Sequence, residues 1–388
     1  MFDMEAIKNF SIDKSDWKKV KFGDVVFEPK ESVKDPVAEG IEHVVGLEHI
    51  KSGDMYLRRS ASIEESTTFT KKFNKDDVLF GRRRAYLKKA AKAKFEGICS
   101  GDITVMRARE ELLLPELLPF IVNNARFFDY AITHSAGGLS PRVKFKDLSN
   151  FEFSLPNITK QKELLRLLIE SSNVVEIERN LLSSLKTLFH SSEKELLNGN
   201  DFTKEGIMDV ASVQRGKFAH RPRNAPQFYG GEIPFIQTSE VVNSDKFITS
   251  YSQTLNELGL SISKMFPKGT IVMTIAANIG YVGLLSFDSA FTDSLVGIQA
   301  KQEKLSQEYL YYYLNYKQKV IDGLATESAQ KNLSIDTFKA FKVQYPESNE
   351  QQLLTVNQLD KIKKNINKQI IKINSVLKLQ SSLISKVF

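Results

Sequence analysis

Internal repetition constrains this sequence more than any other feature, because two copies of one unit must fold into two similar domains. Five phrases of the first half align, in the same order and at nearly constant spacing, with five of the second: 45–50 with 236–241, 73–80 with 266–273, 100–102 with 292–294, 116–124 with 308–316, and 148–156 with 338–346. The first pair is expected to be a short strand that enters a loop, and the fourth to be a helix. The chain therefore predicts two domains of one design.

Each repeat closes in the same way, with an alternating strand, a proline and a long helix. Phe151, Phe153 and Leu155 alternate with polar residues before Pro156, and the second copy repeats this pattern before Pro346. Proline lacks a backbone N–H and restricts its predecessor to extended geometry, so it ends a strand cleanly. Strands mixed with helices in each copy predict α+β domains.

Two long helices follow the two prolines. Apolar residues recur at heptad spacing in both: Leu168, Val175, Leu182, Phe189 and Leu196, with a neighbouring stripe at Leu167, Val174, Leu181 and Leu188, in the first; Leu359, Ile362, Ile366, Ile370, Ile373 and Leu377 in the second. Sustained spacing of this kind predicts helices that pack on each other. At ~1.5 Å per residue, a helix of roughly 40 residues is about 60 Å long. Ordinary dimerisation helices are the alternative.

The predicted organisation is α+β, with two pseudo-repeated globular domains joined by two long antiparallel coiled-coil helices. The first domain covers residues 1–158 and the first helix 159–199. The second domain covers 200–346 and the second helix 347–388. A chain of 388 residues suits two cores, because single cores stop growing near about 250–300 residues.

Charge is distributed unevenly along the chain. The formal net charge is +7. One segment places ten basic residues against only Asp76 and Asp77: Lys71, Lys72, Lys75, Arg82, Arg83, Arg84, Lys88, Lys89, Lys92 and Lys94. A second stretch, 215–223, carries four basic residues and no acid. One such run is as well explained by a solvated surface, but two in the two halves favour binding of a polyanion such as nucleic acid.

Other features narrow the class of protein. Cys99 is the only cysteine, so no intramolecular disulfide forms. The first thirty residues lack the apolar core of a signal peptide, which predicts a cytoplasmic protein. The most apolar stretch, 112–122, is interrupted by prolines and is shorter than the ~20 residues of a membrane span. No membrane association is expected.

Catalytic motifs are not found in the sequence. It contains neither the Asn/Asp-Pro-Pro-aromatic tetrad of an amino-methyltransferase nor a glycine fingerprint for a nucleoside cofactor, and Gly216-Lys217 lacks the upstream glycine of a phosphate-binding loop. The nearest approach to a nuclease site is Glu28-Pro29-Lys30 with Asp16 or Asp24. The histidines and Cys99 lack zinc spacing, so no metal site and no resident cofactor are expected.

DNA-contact chemistry is present instead. Arg82, Arg83 and Arg84 follow a strand ending at Phe80-Gly81 and are predicted to lie on a loop with Lys88. Arginine suits both phosphate oxygens and the guanine edge, whereas lysine mainly anchors phosphates. The counterpart set in the second half is Arg215, Lys217, His220, Arg221, Arg223 and Asn224. A glycine-containing loop with Arg142 is matched by residues 328–332, which include Lys331. A plain turn explains these two loops as well.

The whole chain from Trp17 to Phe388 resembles the specificity subunit of Type I restriction-modification enzymes. The phrases that carry the resemblance are VGLEHI (45–50), FGRRRAYLKKA (80–90) and GICSGDITVMRA (97–108) in the first half, and IPFIQTSEV (233–241), MTIAANIGYVG (273–283) and FTDSLVGIQA (291–300) in the second. No single phrase is decisive, but their order and doubling are. The resemblance implies a non-catalytic protein in which each domain reads one half of a bipartite, asymmetric DNA target and the helices set the gap.

The resemblance also implies partners. Two modification subunits would bind S-adenosylmethionine and methylate adenine in double-stranded DNA, and two restriction subunits would bring Mg²⁺, ATP hydrolysis, translocation and cleavage. Carried over residue by residue, the DNA-facing candidates are Arg82, Arg83, Arg84, Lys88 and Arg142 in the first domain, and Arg215, Lys217, Arg221, Arg223, Asn278 and Lys331 in the second.

The sequence departs from the family resemblance in two places, and two other functions are open to it. Ala276-Ala277-Asn278 stands where the first half has its arginine triplet, so the second domain is expected to read DNA with Asn278 and the 215–224 loop. The first sixteen or so residues have no counterpart in the repeat and are expected to be a tail. The alternatives are a nuclease with an unrecognised active site and a protein-binding scaffold that binds no DNA.

Overall fold

A computed structural model describes residues 11–63, 68–325 and 331–388. Contacts divide the chain into two units: unit 1 is built from Met1–Leu181 and Gln369–Phe388, and unit 2 from Leu182–Lys368. Each unit therefore contains one globular domain and part of each of two long helices.

The described residues of unit 1 form three sheets. Its strands are β1 Lys18–Lys21, β2 Val26–Phe27, β3 His43–Val45, β4 Ala61–Ser62, β5 Lys71–Phe73, β6 Val78–Gly81, β7 Ala90–Lys92, β8 Gly97–Cys99, β9 Ile103–Ala108 and β10 Glu152–Leu155. The strand orders are β2-β9-β6-β7, β4-β3-β8-β5 and β1-β10. Strand β6 has all four residues buried, as expected for a central strand. The short helices are α1 Phe22–Val25, α2 Leu118–Val122, α3 Ala125–Thr133 and α4 Phe145–Leu148.

The first long helix, α5, extends over Ile158–Leu196. It begins after Pro156, and its first turn is capped by Asn157, whose Oδ1 accepts a hydrogen bond from the Lys160 backbone N–H over 3.0 Å. Capping by Asn satisfies a donor that has no partner inside the helix.

Unit 2 repeats the three sheets. Its strands are β11 Thr203–Gly206, β12 Ala211–Arg215, β13 Tyr229–Ile236, β14 Phe247–Ile248, β15 Gln253–Leu255, β16 Met265–Phe266, β17 Ile271–Thr274, β18 Val282–Leu285, β19 Ser289–Phe291, β20 Leu295–Ala300 and β21 Lys342–Tyr345. The orders are β12-β20-β17-β18-β14, β15-β13-β19-β16 and β11-β21. The helices are α6 Ile207–Val210, α7 Thr238–Val242, α8 Glu257–Ser261, α9 Gln307–Tyr316, α10 Gln318–Gly323, α11 Ile335–Lys339 and the second long helix, α12 Asn349–Val387.

The two units share an unusual strand pairing. Strand β3 runs parallel to β8, with Val45 opposite Cys99, and β13 runs parallel to β19, with Ile236 opposite Phe291. Both pairs lie at places where the two halves of the sequence align. The predicted duplication and α+β class are confirmed. One detail was wrong: after Val45 and Ile236 the chain forms a 3₁₀ turn in unit 1 and helix α7 in unit 2, and not a plain loop.

Two glutamines attach the long helices to their domains in the same way. Gln161 Nε2 donates to the carbonyls of Leu112 (2.9 Å) and Pro156 (3.0 Å), and its Oε1 accepts from the Leu114 N–H over 3.0 Å. Gln352 repeats these three bonds with Lys304, Pro346 and Ser306 at 3.0, 2.9 and 2.8 Å. Both glutamines are buried. The helices therefore start at positions fixed by buried hydrogen bonds.

The two helices pair in an antiparallel sense within unit 1. Gln380 Nε2 donates to Ser172 Oγ over 3.0 Å, and further along α5 Gln369 Nε2 donates to Glu178 Oε2 over 2.6 Å. Pairing of a later α5 residue with an earlier α12 residue is the antiparallel arrangement that the sequence predicts. Leu168, Val175 and Ile373 are buried as expected.

Two details of the heptad prediction were wrong. Ile370 is 39% exposed, because its neighbour Gln369 takes the buried position against Glu178. In the second apolar stripe of α5, Leu181 and Leu188 are 46% and 50% exposed. Across residues 11–63, 68–325 and 331–388, no helix combines the length and apolar character needed to cross a membrane.

Candidate nucleic-acid interface

Three loops meet in unit 1 at the end of strand β6. The Arg82 N–H donates to the Asp102 carbonyl over 2.9 Å, and the Arg82 carbonyl accepts from the Val143 N–H over 3.1 Å. The Arg84 N–H donates to the Pro141 carbonyl over 2.8 Å. Residues 82–84, the turn at 100–102 and the loop at 140–143 are therefore held together by backbone bonds, and the sequence-predicted arginine sets lie side by side.

Asp102 is the centre of this meeting point. Its Oδ2 lies 3.2 Å from Arg83 Nη1, and its Oδ1 accepts from Arg142 Nε over 2.7 Å. Arg83 Nη2 also donates to Ser140 Oγ over 3.2 Å. Partial burial opposes ionisation of Asp102, but the hydrogen bonds from Arg142 and Arg83 outweigh it and lower the pKa of this carboxyl. Asp102 thus keeps two arginines in place as an ionised carboxylate.

The remaining candidates of unit 1 lie beside this cluster. Arg84 is exposed and has a φ of 54°, in the left-handed region that non-glycine residues seldom occupy. Lys88 is exposed, has a φ of 49°, and its Nζ lies 3.8 Å from Asp129 Oδ1. Arg82 is partly buried, and its buried Nε has no hydrogen-bond partner among the described residues. Tyr86, which lies between Arg84 and Lys88 in the sequence, is 51% exposed.

Unit 2 builds the same backbone junction with different side chains. The Ile275 N–H donates to Ser294 over 3.0 Å, the Leu333 N–H donates to Ile275 over 2.8 Å, and the Ala277 N–H donates to Lys331 over 3.3 Å, each through a carbonyl acceptor. Ala277 has a φ of 61°, close to that of Arg84. The junction is therefore a repeated scaffold, and Ala277 occupies the position of Arg84. The predicted alignment was wrong by one residue, because residues 275–277, and not 276–278, take the place of the arginine triplet.

The arginines of unit 2 reach its junction from another part of the chain. Arg215 Nε donates to the Asp293 carbonyl over 2.6 Å, Arg221 Nη2 donates to Asp293 Oδ2 over 2.7 Å, and Arg223 Nη2 bonds Asp293 Oδ1. Gly216 makes this approach possible, because a Cβ there would lie 2.2 Å from the Thr292 carbonyl oxygen. Asp293 thus gathers three arginines from the predicted 215–223 stretch.

The last three candidates have separate surroundings. Lys217 is exposed, and its backbone N–H donates to the Phe291 carbonyl over 3.1 Å, beside the Asp293 turn. Asn278 is exposed one residue after Ala277. Lys331 Nζ forms an ion pair with Asp322 Oδ2 over 2.7 Å. Of the 328–332 loop, only residues 331 and 332 are among those described.

A cavity of about 270 Å³ with a mixed polar and apolar lining adjoins the Asp293 cluster. It is lined by Arg223, Asn224, Tyr229, Phe235, Gln237, Thr238, Ser239, Gln253, Thr292 and Ser294. Aromatic and amide side chains can both contact nucleobases, the first by stacking and the second by hydrogen bonds. This lining suits a surface that meets base edges.

The tentative nuclease site does not assemble. Glu28 Oε1 is paired with Lys71 Nζ over 3.1 Å, and Asp24 Oδ2 accepts from the Lys21 N–H over 3.1 Å. In the described parts of the chain, no three His, Cys, Asp or Glu side chains come together in a way that would hold a metal ion.

Residues 14–187 and 192–375 each match the model of the Type I restriction modification DNA specificity domain. The chain belongs to the Type I restriction-modification specificity subunits. Two consecutive matches agree with the duplication seen in the sequence and in the sheets.

Curated relatives and solved structures are also similar to this chain. A segment of 157 residues is 27% identical to the Type I restriction enzyme MjaIX specificity subunit of Methanocaldococcus jannaschii, covering 39% of this chain and 36% of that one. A solved chain from work on complex assembly and conformational transition of the type I R-M system has a TM-score of 0.63 at 18% identity, covering 95% and 97% of the two chains. The structure of the Type I restriction-modification S subunit from M. genitalium has a TM-score of 0.54 at 13% identity, and the match covers 98% of this chain and 97% of that one. These two structures establish a shared fold.

Sequence reasoning missed the partners of the arginines. Asp102 and Asp293 lie in the aligned phrases SGD and TDS, which served only as markers of the repeat. The available signal was that each of these two phrases carries one acidic residue, whereas the other loops predicted to contact DNA are basic. The basic run 71–94 was also read too broadly. Lys92 pairs with Asp76 over 2.9 Å and Lys89 Nζ donates to the Leu47 carbonyl over 2.6 Å, so both serve the domain itself. Lys75 precedes strand β6, at the opposite end of the strand from the junction, so it is not part of the candidate interface.

Proposed function

We propose that this chain is the non-catalytic subunit that selects the DNA sequence, and that its two domains read the two halves of a bipartite, asymmetric target. The observation that carries the proposal is the repeated backbone junction, at which each unit collects arginines around one aspartate, Asp102 or Asp293. Exposed arginines on a rigid junction suit contacts with phosphates and base edges.

Asymmetry of the target follows from the side chains. Unit 1 places Arg83 and Arg84 where unit 2 places Ala276 and Ala277. The arginines of unit 2 come instead from residues 215–223. Two surfaces with one backbone plan and different donors would recognise different base sequences, so the two half-sites differ.

Catalysis in this proposal belongs to partners. Modification subunits supply S-adenosylmethionine and methylate adenine, and restriction subunits supply ATP hydrolysis and cleavage with Mg²⁺. Helix α5 offers a docking surface within unit 1, where Ile177 and Leu181 lie one turn apart and are 64% and 46% exposed. Exposed apolar residues on a helix face are typical of protein interfaces.

Methyl transfer to DNA tests the proposal. The chain is purified with its modification subunit, and transfer from labelled S-adenosylmethionine is measured for the wild type, for Arg82→Ala with Arg84→Ala, and for a Lys75→Ala control. We expect the double variant to lose methylation and the control to keep it, while size-exclusion chromatography shows intact complexes. Loss of assembly by the double variant would mean that these residues are structural.

Salt dependence separates the proposal from its alternatives. Contacts to several phosphates make DNA affinity fall steeply with rising salt concentration. A protein-binding scaffold would show no DNA signal at any salt concentration. Cleavage of DNA by the purified chain alone in the presence of Mg²⁺ would instead favour a nuclease.

A further inference from the structure

Two of the candidate arginines are held through Nε, whereas three others are held through their terminal nitrogens. Arg142 donates through Nε to Asp102 Oδ1, and Arg215 donates through Nε to the Asp293 carbonyl, over 2.7 and 2.6 Å. Within the described part of the chain, the terminal Nη1 and Nη2 of both arginines make no hydrogen bond. Both side chains are exposed. Each guanidinium is therefore anchored at one side and presents its two terminal nitrogens to solvent.

Arg83 and Arg221 show the opposite arrangement. Arg83 donates from Nη1 to Asp102 Oδ2 and from Nη2 to Ser140 Oγ. Arg221 donates from Nη1 to the carbonyls of Phe218 (2.6 Å) and His220 (2.9 Å), and from Nη2 to Asp293 Oδ2. Both terminal nitrogens of each arginine are already hydrogen-bonded inside the protein, so these two arginines hold the loops and do not present a free pair of nitrogens to a ligand.

The free pair of nitrogens fits one feature of duplex DNA. Guanine presents O6 and N7 as adjacent acceptors in the major groove, and a planar guanidinium can bond both at once. A side chain that is already anchored loses less rotamer entropy when it makes these two bonds. A phosphate group could also accept from a guanidinium, but it carries no sequence information.

We propose that Arg142 and Arg215 are specificity-determining residues, each reading the O6 and N7 edge of one guanine, and that the Asp102 carboxylate and the Asp293 backbone carbonyl aim them. The inference rests on the proposed function and adds which side chain reads which chemical feature. Arg142 would act on the half-site read by unit 1, and Arg215 on the half-site read by unit 2.

The test uses the complex of the full chain with its modification subunit. Methylation rates are measured on duplexes that carry the target and on duplexes with one base pair replaced at each position in turn. Arg142→Gln and Arg215→Gln are compared with Lys75→Gln and Lys268→Gln, which remove one exposed charge at the far ends of strands β6 and β17. Size-exclusion chromatography and thermal unfolding report assembly and folding.

We expect each arginine variant to lose discrimination by roughly tenfold to a hundredfold at a single G·C pair. The affected pair should lie in one half-site for Arg142→Gln and in the other half-site for Arg215→Gln, and the lysine controls should keep full discrimination. Arg142→Lys keeps the charge without the fork, so it should lose the same discrimination while the dependence of affinity on salt stays unchanged.

The positioning role has its own readout. Asp102→Ala should relax the same base pair as Arg142→Gln although the arginine is still present, and Asp102→Asn, which retains an acceptor for Nε, should restore part of the discrimination. A general loss of stability would not single out one base pair.

Several results would overturn the inference. A uniform fall in rate on every duplex would assign the arginines to phosphates, and unchanged discrimination or full rescue by Arg142→Lys would remove the fork from recognition. These outcomes leave the proposed function intact. If the wild-type complex showed no sequence preference at all, the proposed function itself would fail.

Discussion

Gln161 and Gln352 illustrate how single buried side chains connect the long helices to their domains. Each amide donates to two backbone carbonyls and accepts from one backbone N–H where the long helix meets its domain. The same three-bond arrangement in both units indicates that it belongs to the repeated design. Removing the amide would leave buried backbone groups without partners, which is costly.

Replacing Gln352 by Leu should therefore destabilise unit 2. The expected loss in the free energy of unfolding is about 1–3 kcal/mol, because the side chain keeps its bulk and loses only its polar group. Gln351→Leu is the matched control, since Gln351 is exposed on the next position of the helix. Denaturant unfolding compares the two, and equal stability of both variants would contradict the role given to Gln352.

Arginine positions could be predicted from the sequence, but their bonding could not. The run of arginines at 82–84 and the 215–223 stretch are visible as charge patterns. The partners Asp102 and Asp293 lie far along the chain from most of the arginines they hold, and only the folded loop junction brings them together. Which guanidinium nitrogens remain free depends on these contacts, so it is not readable from residue types.

The helix pair shows what heptad spacing can and cannot predict. Leu168, Val175 and Ile373 lie in the buried seam as the spacing predicts, whereas Ile370 does not. At this point of the seam the neighbouring Gln369 faces Glu178 and turns Ile370 toward the exposed side. Buried Gln369 and Glu178 then occupy positions that an apolar pattern cannot reveal.

Gln369 and Ile370 give a paired test of the seam. Gln369→Ala would leave Glu178 and its buried carboxylate without the donor at 2.6 Å, and should lower the free energy of unfolding by about 1–3 kcal/mol. Ile370→Ala alters a side chain on the exposed side and should change it by less than about 0.5 kcal/mol. Thermal or denaturant unfolding measures the stability of the two variants. A larger loss for Ile370→Ala than for Gln369→Ala would show that the buried seam is misassigned.

Glu193 makes the stability of unit 2 depend on pH. Burial raises the pKa of its carboxyl. His190 opposes this shift, since its Nδ1 lies 3.2 Å from Glu193 Oε2. The folded state then binds the proton more tightly than the unfolded state, whose pKa is about 4.3. This group therefore favours folding most at low pH, and its contribution declines as pH rises through the raised pKa.

Glu193→Gln should remove this pH dependence and raise the thermal midpoint at pH 7. The control is Glu195→Gln, because Glu195 is exposed on the same helix. Unfolding of both variants and of the wild type is followed between pH 4 and pH 8. A Glu193→Gln protein less stable than the wild type at pH 7 would mean that the ionised carboxylate is stabilising.

At the scale of the whole molecule, the duplication was the most informative feature of the sequence. It predicted two domains of one plan, and the matched sheets and the matched junctions at Arg84 and Ala277 agree with it. The different origin of the arginines in the two units could not be predicted, because the second copy keeps the backbone junction and places its charges on another loop.

Partner assembly should depend on the exposed apolar surface of α5. Ile177→Lys together with Leu181→Lys would place charge on a surface that we expect to pack against a modification subunit, and should abolish co-purification. The domains should remain folded, because both side chains are exposed. The control is Lys substitution of the exposed Ser183 and Thr187, which lie one turn apart on a different side of the same helix. Retention of the complex by the Ile177 and Leu181 variant would exclude this surface.

We propose that this chain selects the DNA sequence that its partners modify. The decisive experiment is single-molecule sequencing of DNA from a methylation-free host that expresses the chain with its modification subunit, compared with the modification subunit alone. We expect a new adenine-methylated motif with two unlike specified halves separated by an unspecified gap. If the complex assembles and no such motif is found, the proposed role is wrong.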